Sequence, residues 1–156
     1  MTSQPLIELR DTKKRFGDNG VLNGVDLNIF KGEITSIIGK SGVGKSVLLK
    51  HIIGLLEPDS GQVLYEGKSL SAMNREDKRA LKRKFSYMFQ ESALFDFLSI
   101  FENIALPLQE TTSLPEPEIH RRVRDKMHQL DLHKIDDKYP SQLSGGMKKR
   151  VALARA

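Results

Sequence analysis

The residue types best suited to chemistry in this 156-residue chain stand side by side: Gly39, Lys40, Ser41, Gly42, Val43, Gly44, Lys45 and Ser46. Glycines at these intervals let a backbone fold tightly around an anion, so that successive N–H groups from about Gly42 to Ser46 point inward. The Lys45 ammonium adds a positive point charge, and the Ser46 hydroxyl adds a hard oxygen ligand. Together they suit a nucleoside triphosphate, with Lys45 at the β- and γ-phosphates and Ser46 on Mg²⁺. The spacing of glycine, four residues and Gly-Lys-Ser is that of a P-loop. Gly67-Lys68-Ser69 offers a contrast, because Gln62 stands five places before its glycine and no adequate apolar helix follows. That second triplet reads as a turn.

Such a loop works only between a strand and a helix. Short apolar-alternating runs at 6–9, 25–29, 34–38, 63–65 and 85–89 read as strands, most of them bounded by Gly, Asp or Asn. The 34–38 run feeds the loop. Val47, Leu48, Leu49, Ile52, Ile53, Leu55 and Leu56 then give a wide apolar face, so a helix is expected from near Gly44 to about Leu56, stopped by Pro58. Turns at 17–20 and 31–32 predict antiparallel pairing of the first strands. Beyond Phe89 the pattern becomes helical, around 117–130 and from Ser144 onward, with Pro107, Pro115, Pro117 and Pro140 as punctuation. A division near Gln90 is expected, giving 1–90 as a β subdomain with the P-loop and 91–156 as a helical subdomain. There is no internal repeat.

The second motif is Leu143-Ser144-Gly145-Gly146-Met147-Lys148-Lys149-Arg150, running into Val151-Ala152-Leu153-Ala154-Arg155-Ala156. Ser144 suits an N-cap, and Met147, Val151 and Ala154 share one face. This is another glycine-rich helix start prepared for an anion. In this order and spacing the chain resembles, over its whole length, the nucleotide-binding subunits of ABC transporters, whose signature begins Leu-Ser-Gly-Gly and precedes Ala-Leu-Ala-Arg-Ala. The resemblance implies that Gln90 is the glutamine placed near Mg²⁺ and the attacking water, and that Phe16 is the aromatic that stacks on adenine. It also implies that Ser144, Gly145 and Gly146 act in trans, closing over the γ-phosphate held by a second copy in a head-to-tail dimer. Lys45 and Gln90 are then the catalytic residues, Ser46 and Gln90 the metal-associated ones, and ATP and Mg²⁺ the cofactors.

Within that family, Gln90-Glu91-Ser92-Ala93-Leu94-Phe95, the run 100–108 and Met147 resemble the ATPases of Mla-type phospholipid transporters. The apolar stretch 93–101 suits either a docking groove for a membrane subunit or the packing of the helical subdomain. The implied setting is the cytoplasmic face of the inner membrane, peripheral, with integral permease subunits as partners.

The implied fold class is α/β: a P-loop NTPase of the ABC nucleotide-binding type, with an N-terminal antiparallel β subdomain and a helical subdomain, truncated after the signature helix. The family pattern continues with an Asp-Glu strand end and a switch histidine, neither of which is present; His51, His120, His128 and His133 all precede the signature and read as surface or helix positions. The natural protein is therefore expected to continue, and these residues alone to be poorly folded or associated.

Composition narrows the alternatives. An apolar fraction of 38% against 29% charged reads as globular, and the absence of cysteine excludes disulfides and thiol chemistry. No apolar stretch approaches the roughly 20 residues of a membrane-spanning helix, and the first ten residues lack a secretory pattern. The net charge of +5 gathers at Arg75, Lys78, Arg79, Lys82, Arg83 and Lys84, but interleaved acids make this a solvated helix face, and no nucleic acid is expected as a partner. A non-transport family member acting on nucleic acid and an ATP-binding fragment without turnover are the two competing readings.

Overall fold

The computed structural model describes residues 4–156. The chain divides into two compact units, the first ending at Phe85 and the second beginning at Ser86.

The first unit is built on strands β1 (Ile7–Phe16), β2 (Asn19–Ile29), β3 (Ser60–Tyr65) and β4 (Lys68–Ser69), in the order β2-β1-β3-β4. Every pairing is antiparallel. Gly17 and Asp18 make the tight turn between β1 and β2, with Phe16 opposite Asn19. Alternation decides the buried face: Ile7 and Leu9 of β1 are buried, as is Val63 of β3 opposite Leu9. Helix α1 (Lys45–Ile52) lays Leu48 and Ile52, four residues apart, into the same core with Leu22. Each such side chain contributes about 1.5–3 kcal/mol when fully buried.

Two expectations change here. Helix α1 stops at Ile52 rather than near Leu56, because the Gly54 N–H donates to the His51 carbonyl at 3.0 Å and the Leu55 N–H to the Lys50 carbonyl at 2.8 Å. These two bonds close the helix at Ile52, six residues before Pro58. The runs 34–38 and 85–89 are not strands. A strand needs a neighbour's hydrogen-bonding edge, and no strand among the described residues pairs with either run; Ile34 and Ile38 stand 96% and 93% exposed. The Gly67 triplet does turn the chain, joining β3 to the two-residue β4. His51 lies on helix α1, in keeping with its reading as a surface or helix position, and is wholly buried with Nδ1 2.7 Å from the Val47 carbonyl oxygen. Helix α2 (Arg75–Lys82) carries the basic run, capped by Asn74, whose side chain accepts from the Asp77 N–H at 2.8 Å.

The second unit packs helices α3 (Ile100–Thr111), α4 (Glu116–Gln129) and α5 (Gly145–Arg155) around Ile100, Ile104, Ile119, Val123, Met127 and Val151. Met147, Val151 and Ala154 share the inward side of α5, as their spacing predicts. Helix α3 spans a stretch where Pro107 reads as a break. Its start is fixed by a reciprocal cap: the Ser99 hydroxyl accepts from the Glu102 N–H at 3.2 Å, and the Glu102 carboxylate accepts from the Ser99 N–H at 2.7 Å. The N–H groups of Ile100 and Phe101 are satisfied by the carbonyls of Lys138 and Asp136. The 93–101 stretch splits in burial: Ile100 is core, whereas Phe95 and Phe97 stand 42% and 76% exposed.

Asn103 fixes the backbone on either side of Phe97. Fully buried, its amide donates to the carbonyls of Phe95, Leu98 and Ser99 at 3.0–3.1 Å, and its oxygen accepts from the Phe95 N–H at 2.8 Å. Replacing it by leucine strands one donor and three acceptors, so Asn103→Leu is expected to lower unfolding free energy by about 2–4 kcal/mol in a denaturant titration. A loss within about 0.5 kcal/mol would show that water replaces the amide.

On α4, Glu118 accepts from Arg121 through both oxygens, at 2.7 and 2.9 Å, and from Arg122 at 2.7 Å. Hydrogen bonding to the two guanidiniums lowers its pKa to about 2. A depressed carboxylate stabilises the fold above its ordinary range and loses that contribution as pH falls from 4.5 toward about 2. Carbon-detected NMR should find the Glu118 midpoint near 2, and a midpoint at the ordinary 4.5 would mean the pairs do not persist in water.

Candidate nucleotide-binding site

Between Glu33 and Glu57 there is no acidic residue, while Lys40, Lys45 and Lys50 fall inside that stretch. The loop 39–44 is therefore a region of positive potential before any helix contribution. Gly42 and Gly44 have φ of +80° and +97°, the left-handed region that side chains disfavour. At Gly44 there is a second constraint: a Cβ would stand 2.7 Å from Val21 Cγ1 and 3.1 Å from the Val21 carbonyl oxygen on β2. The backbone thus turns hard against β2 and immediately becomes α1. With Gly44 as N-cap, α1 has no side-chain cap, so its first N–H groups face the loop opening.

Lys45 bends back over that opening, its Nζ donating to the Gly39 carbonyl at 2.8 Å and to the Lys40 carbonyl at 2.7 Å. Ser46, exposed, follows in the first turn of α1. Two conformationally restricted glycines, an uncapped helix start and an ammonium folded across the mouth form a cradle fitted to phosphate oxygens. The donor set also fits Mg²⁺ bound beside that anion, which takes few protein ligands and keeps several waters.

Phe16 belongs to the same unit as the loop. It ends β1 at the hairpin turn, 49% exposed, with Lys14 Nζ 5.7 Å from its ring centroid. Its partner Asn19 lies two residues before Val21, the residue against which Gly44 packs. Asp59, unremarked in the sequence, secures this corner: it accepts from Lys14 Nζ and from the Arg15 N–H, both at 2.7 Å. The Lys14 hydrogen bond chiefly, then that from Arg15, holds its pKa below the ordinary value.

Gln90, Ser144, Gly145 and Gly146 belong to the second unit. Gln90 is exposed in a turn. Ser144 caps α5 by accepting from the Met147 N–H at 3.3 Å, and a Cβ on Gly145 or Gly146 would meet nothing within 4 Å. This helix start is open to solvent, so an approaching phosphate meets no obstruction from its own unit.

Antiparallel sheet, phosphate-cradling loop and helical unit define an ATP-binding cassette fold. The chain belongs to the ABC transporter family, whose family model matches residues 22–156. It is 39% identical to the Escherichia coli (strain K12) intermembrane phospholipid transport system ATP-binding protein MlaF, over 97% of this chain and 56% of that protein. It is 38% identical to the Brucella abortus (strain 2308) methionine import ATP-binding protein MetN, over 99% of this chain and 42% of that protein. The chain thus spans about half the length of these curated relatives. Among solved structures, a dimeric post-hydrolysis state of the ATP-binding cassette MJ0796, bound to ADP and Pi, aligns with TM-score 0.85 and 31% identity, covering 96% of this chain and 68% of that one.

Proposed function

We propose that this chain is the ATP-binding part of an energy-coupling subunit, and that ATP hydrolysis in the assembled protein drives phospholipid movement through an ABC transporter. The observation that carries the proposal is the Gly39–Ser46 cradle, with Lys45 closed over it at 2.7–2.8 Å. The phosphate tail lies on the N–H groups from Gly42 to Ser46, Lys45 takes the place beside the β- and γ-phosphates, and Phe16 stacks on adenine. Gly39, Lys40, Ser41 and Val43 supply the rest of the loop's contacts. Ser46 and Gln90 hold Mg²⁺, which when bound neutralises charge on the phosphates.

The open start of α5 supports a site completed in trans. Ser144, Gly145 and Gly146 form an uncluttered anion-facing surface, and a second copy brings a phosphate to it. That arrangement gives a head-to-tail dimer in which each nucleotide is enclosed by two chains. Among the described residues no helix is long and apolar enough to cross a membrane. In this reading integral permease subunits supply the pathway, with Phe95 and Phe97 as exposed apolar contacts for them, and the ATPase is peripheral on the cytoplasmic face of the inner membrane. The likeness to MlaF supports phospholipid as the cargo, and the similar likeness to MetN makes methionine the competing cargo.

Phosphate release from the full-length protein, reconstituted with its permease in vesicles, separates the two. Stimulation by phospholipid and not by methionine is expected; the reverse would overturn the cargo assignment while leaving the ATPase role intact.

A further inference from the structure

The turn that carries Gln90 is tightly wound for a segment without glycine. Ser92 and Ala93, neither a natural occupant of left-handed backbone, have φ of +65° and +45°. The Ser92 N–H donates to the Phe89 carbonyl at 3.1 Å and the Ala93 N–H to the Glu91 carbonyl at 2.7 Å, so these two donors are used within the turn. Its outward carbonyls are met from 62 residues away. Arg155 of α5 donates through Nη1 to the Ala93 oxygen at 2.7 Å and through Nη2 to the Ser92 oxygen at 2.9 Å. The same guanidinium lies 5.8 Å from the Phe95 ring centroid. Desolvation lowers its pKa, the mark of a cation drawn partly out of water. Arg155 of α5 therefore grips the Gln90 turn just after the glutamine.

The geometry points to Arg155 as a positioning residue that ties the Gln90 turn to α5, so that displacement at the Ser144–Gly146 end of the helix is delivered to Gln90. This rests on the reading of Gln90 and of the α5 start given above. Within α5, Arg155 lies ten residues, about 15 Å, along the axis from the anion-facing Gly145. A rigid element of that kind carries a shift from one end to the other with little loss. Two parallel N–H groups in a fixed plane suit two adjacent carbonyls, which a lysine meets with a single point of charge.

The test uses the full-length protein with Arg155→Met, Arg155→Lys, Gln90→Ala and the Gln90→Ala/Arg155→Met double variant. Arg155→Met is expected to lower kcat roughly 10- to 100-fold with KM for MgATP within about threefold, since the nucleotide cradle is untouched. Arg155→Lys should recover most of that loss. In the Gln90→Ala background, Arg155→Met should change kcat by less than about twofold, because both act through one group. Amide hydrogen exchange at 89–94 should speed roughly tenfold or more, while 147–153 keeps its protection. A kcat within twofold of the parent, or unchanged exchange at 89–94, overturns the proposal. Should Arg155→Met fail to fold, the Arg155→Lys protein decides on the exchange measurement alone. An unaltered kcat in Gln90→Ala would instead overturn the reading of Gln90, and is distinguishable because exchange reports the tie without any turnover.

Discussion

Replacing Lys45 by alanine is expected to weaken MgATP binding about 100-fold, measured by calorimetry or nucleotide fluorescence, with little change in thermal stability. The ammonium makes two hydrogen bonds, to the carbonyls of Gly39 and Lys40, both on its own loop. In the free protein these pin an exposed side chain over an exposed loop, so their loss costs the fold no more than a typical surface substitution, about 0.5 kcal/mol. With nucleotide present the balance differs. Lys45 faces phosphate oxygens across short distances, and hydrogen bonds to charged groups contribute about 1.5–3 kcal/mol. The upper part of that range is about two decades of affinity. Lys68→Ala is the matched control, because Lys68 follows a glycine and precedes a serine but sits in β4 after a hairpin turn; its affinity should equal the parent's. Equal losses in the two variants would point to a diffuse charge effect, and no loss in Lys45→Ala would remove the cradle from consideration.

The largest effect on folding is expected from Gly61→Ala. Gly61 lies in β3 where the pairing with β1 shifts register between Arg10 and Lys13, and its φ is +83°. Asp11 and Thr12 form the bulge opposite, Asp11 itself at φ +43°, held by its N–H donating to the Asp26 carboxylate at 2.8 Å. A Cβ on Gly61 would overlap the Asp11 carbonyl oxygen outright and lie 2.5 Å from that of Arg10. Those are backbone atoms inside a paired sheet, and they cannot rotate away as a side chain does. Relief requires separating β1 from β3, so a loss of about 3–5 kcal/mol is expected in a denaturant titration, enough to unfold a marginal domain. Gly17→Ala supplies the comparison: φ is +58°, yet nothing lies within 4 Å of the added Cβ. It should cost only the conformational strain, about 1 kcal/mol. Similar losses for both would mean that strain dominates and that the bulge yields readily.

The nucleotide cradle is legible in the sequence because its determinants are local. Gly42 and Gly44 announce the left-handed turns, Lys45 and Ser46 follow in fixed register, and Leu48 and Ile52 declare the helix. The start of α5 is legible for the same reason, Ser144 capping the helix three residues before Met147. Residues 34–38 and 85–89 have strand-like composition, but composition states only a preference, and the ladder must come from a neighbour. Helix α3 begins with a Ser99–Glu102 capping box, a local signal that the sequence reading does not take up, with Pro107 standing there only as punctuation. Asn103 and Arg155 were not legible at all. Each acts on backbone carbonyls exposed by an irregular turn, and no periodicity or motif forecasts which carbonyls a turn will leave unpaired.

The cradle itself is tested most directly by backbone amide shifts recorded while the Mg²⁺ complex of a non-hydrolysable ATP analogue is titrated in. The N–H resonances of Gly42, Val43, Gly44, Lys45 and Ser46 should show the largest movements, with Phe16 following as the adenine docks. Saturable movement centred instead on Gly67, Lys68 and Ser69, or spread along the basic face of α2 with the loop silent, would contradict a triphosphate site at the start of α1.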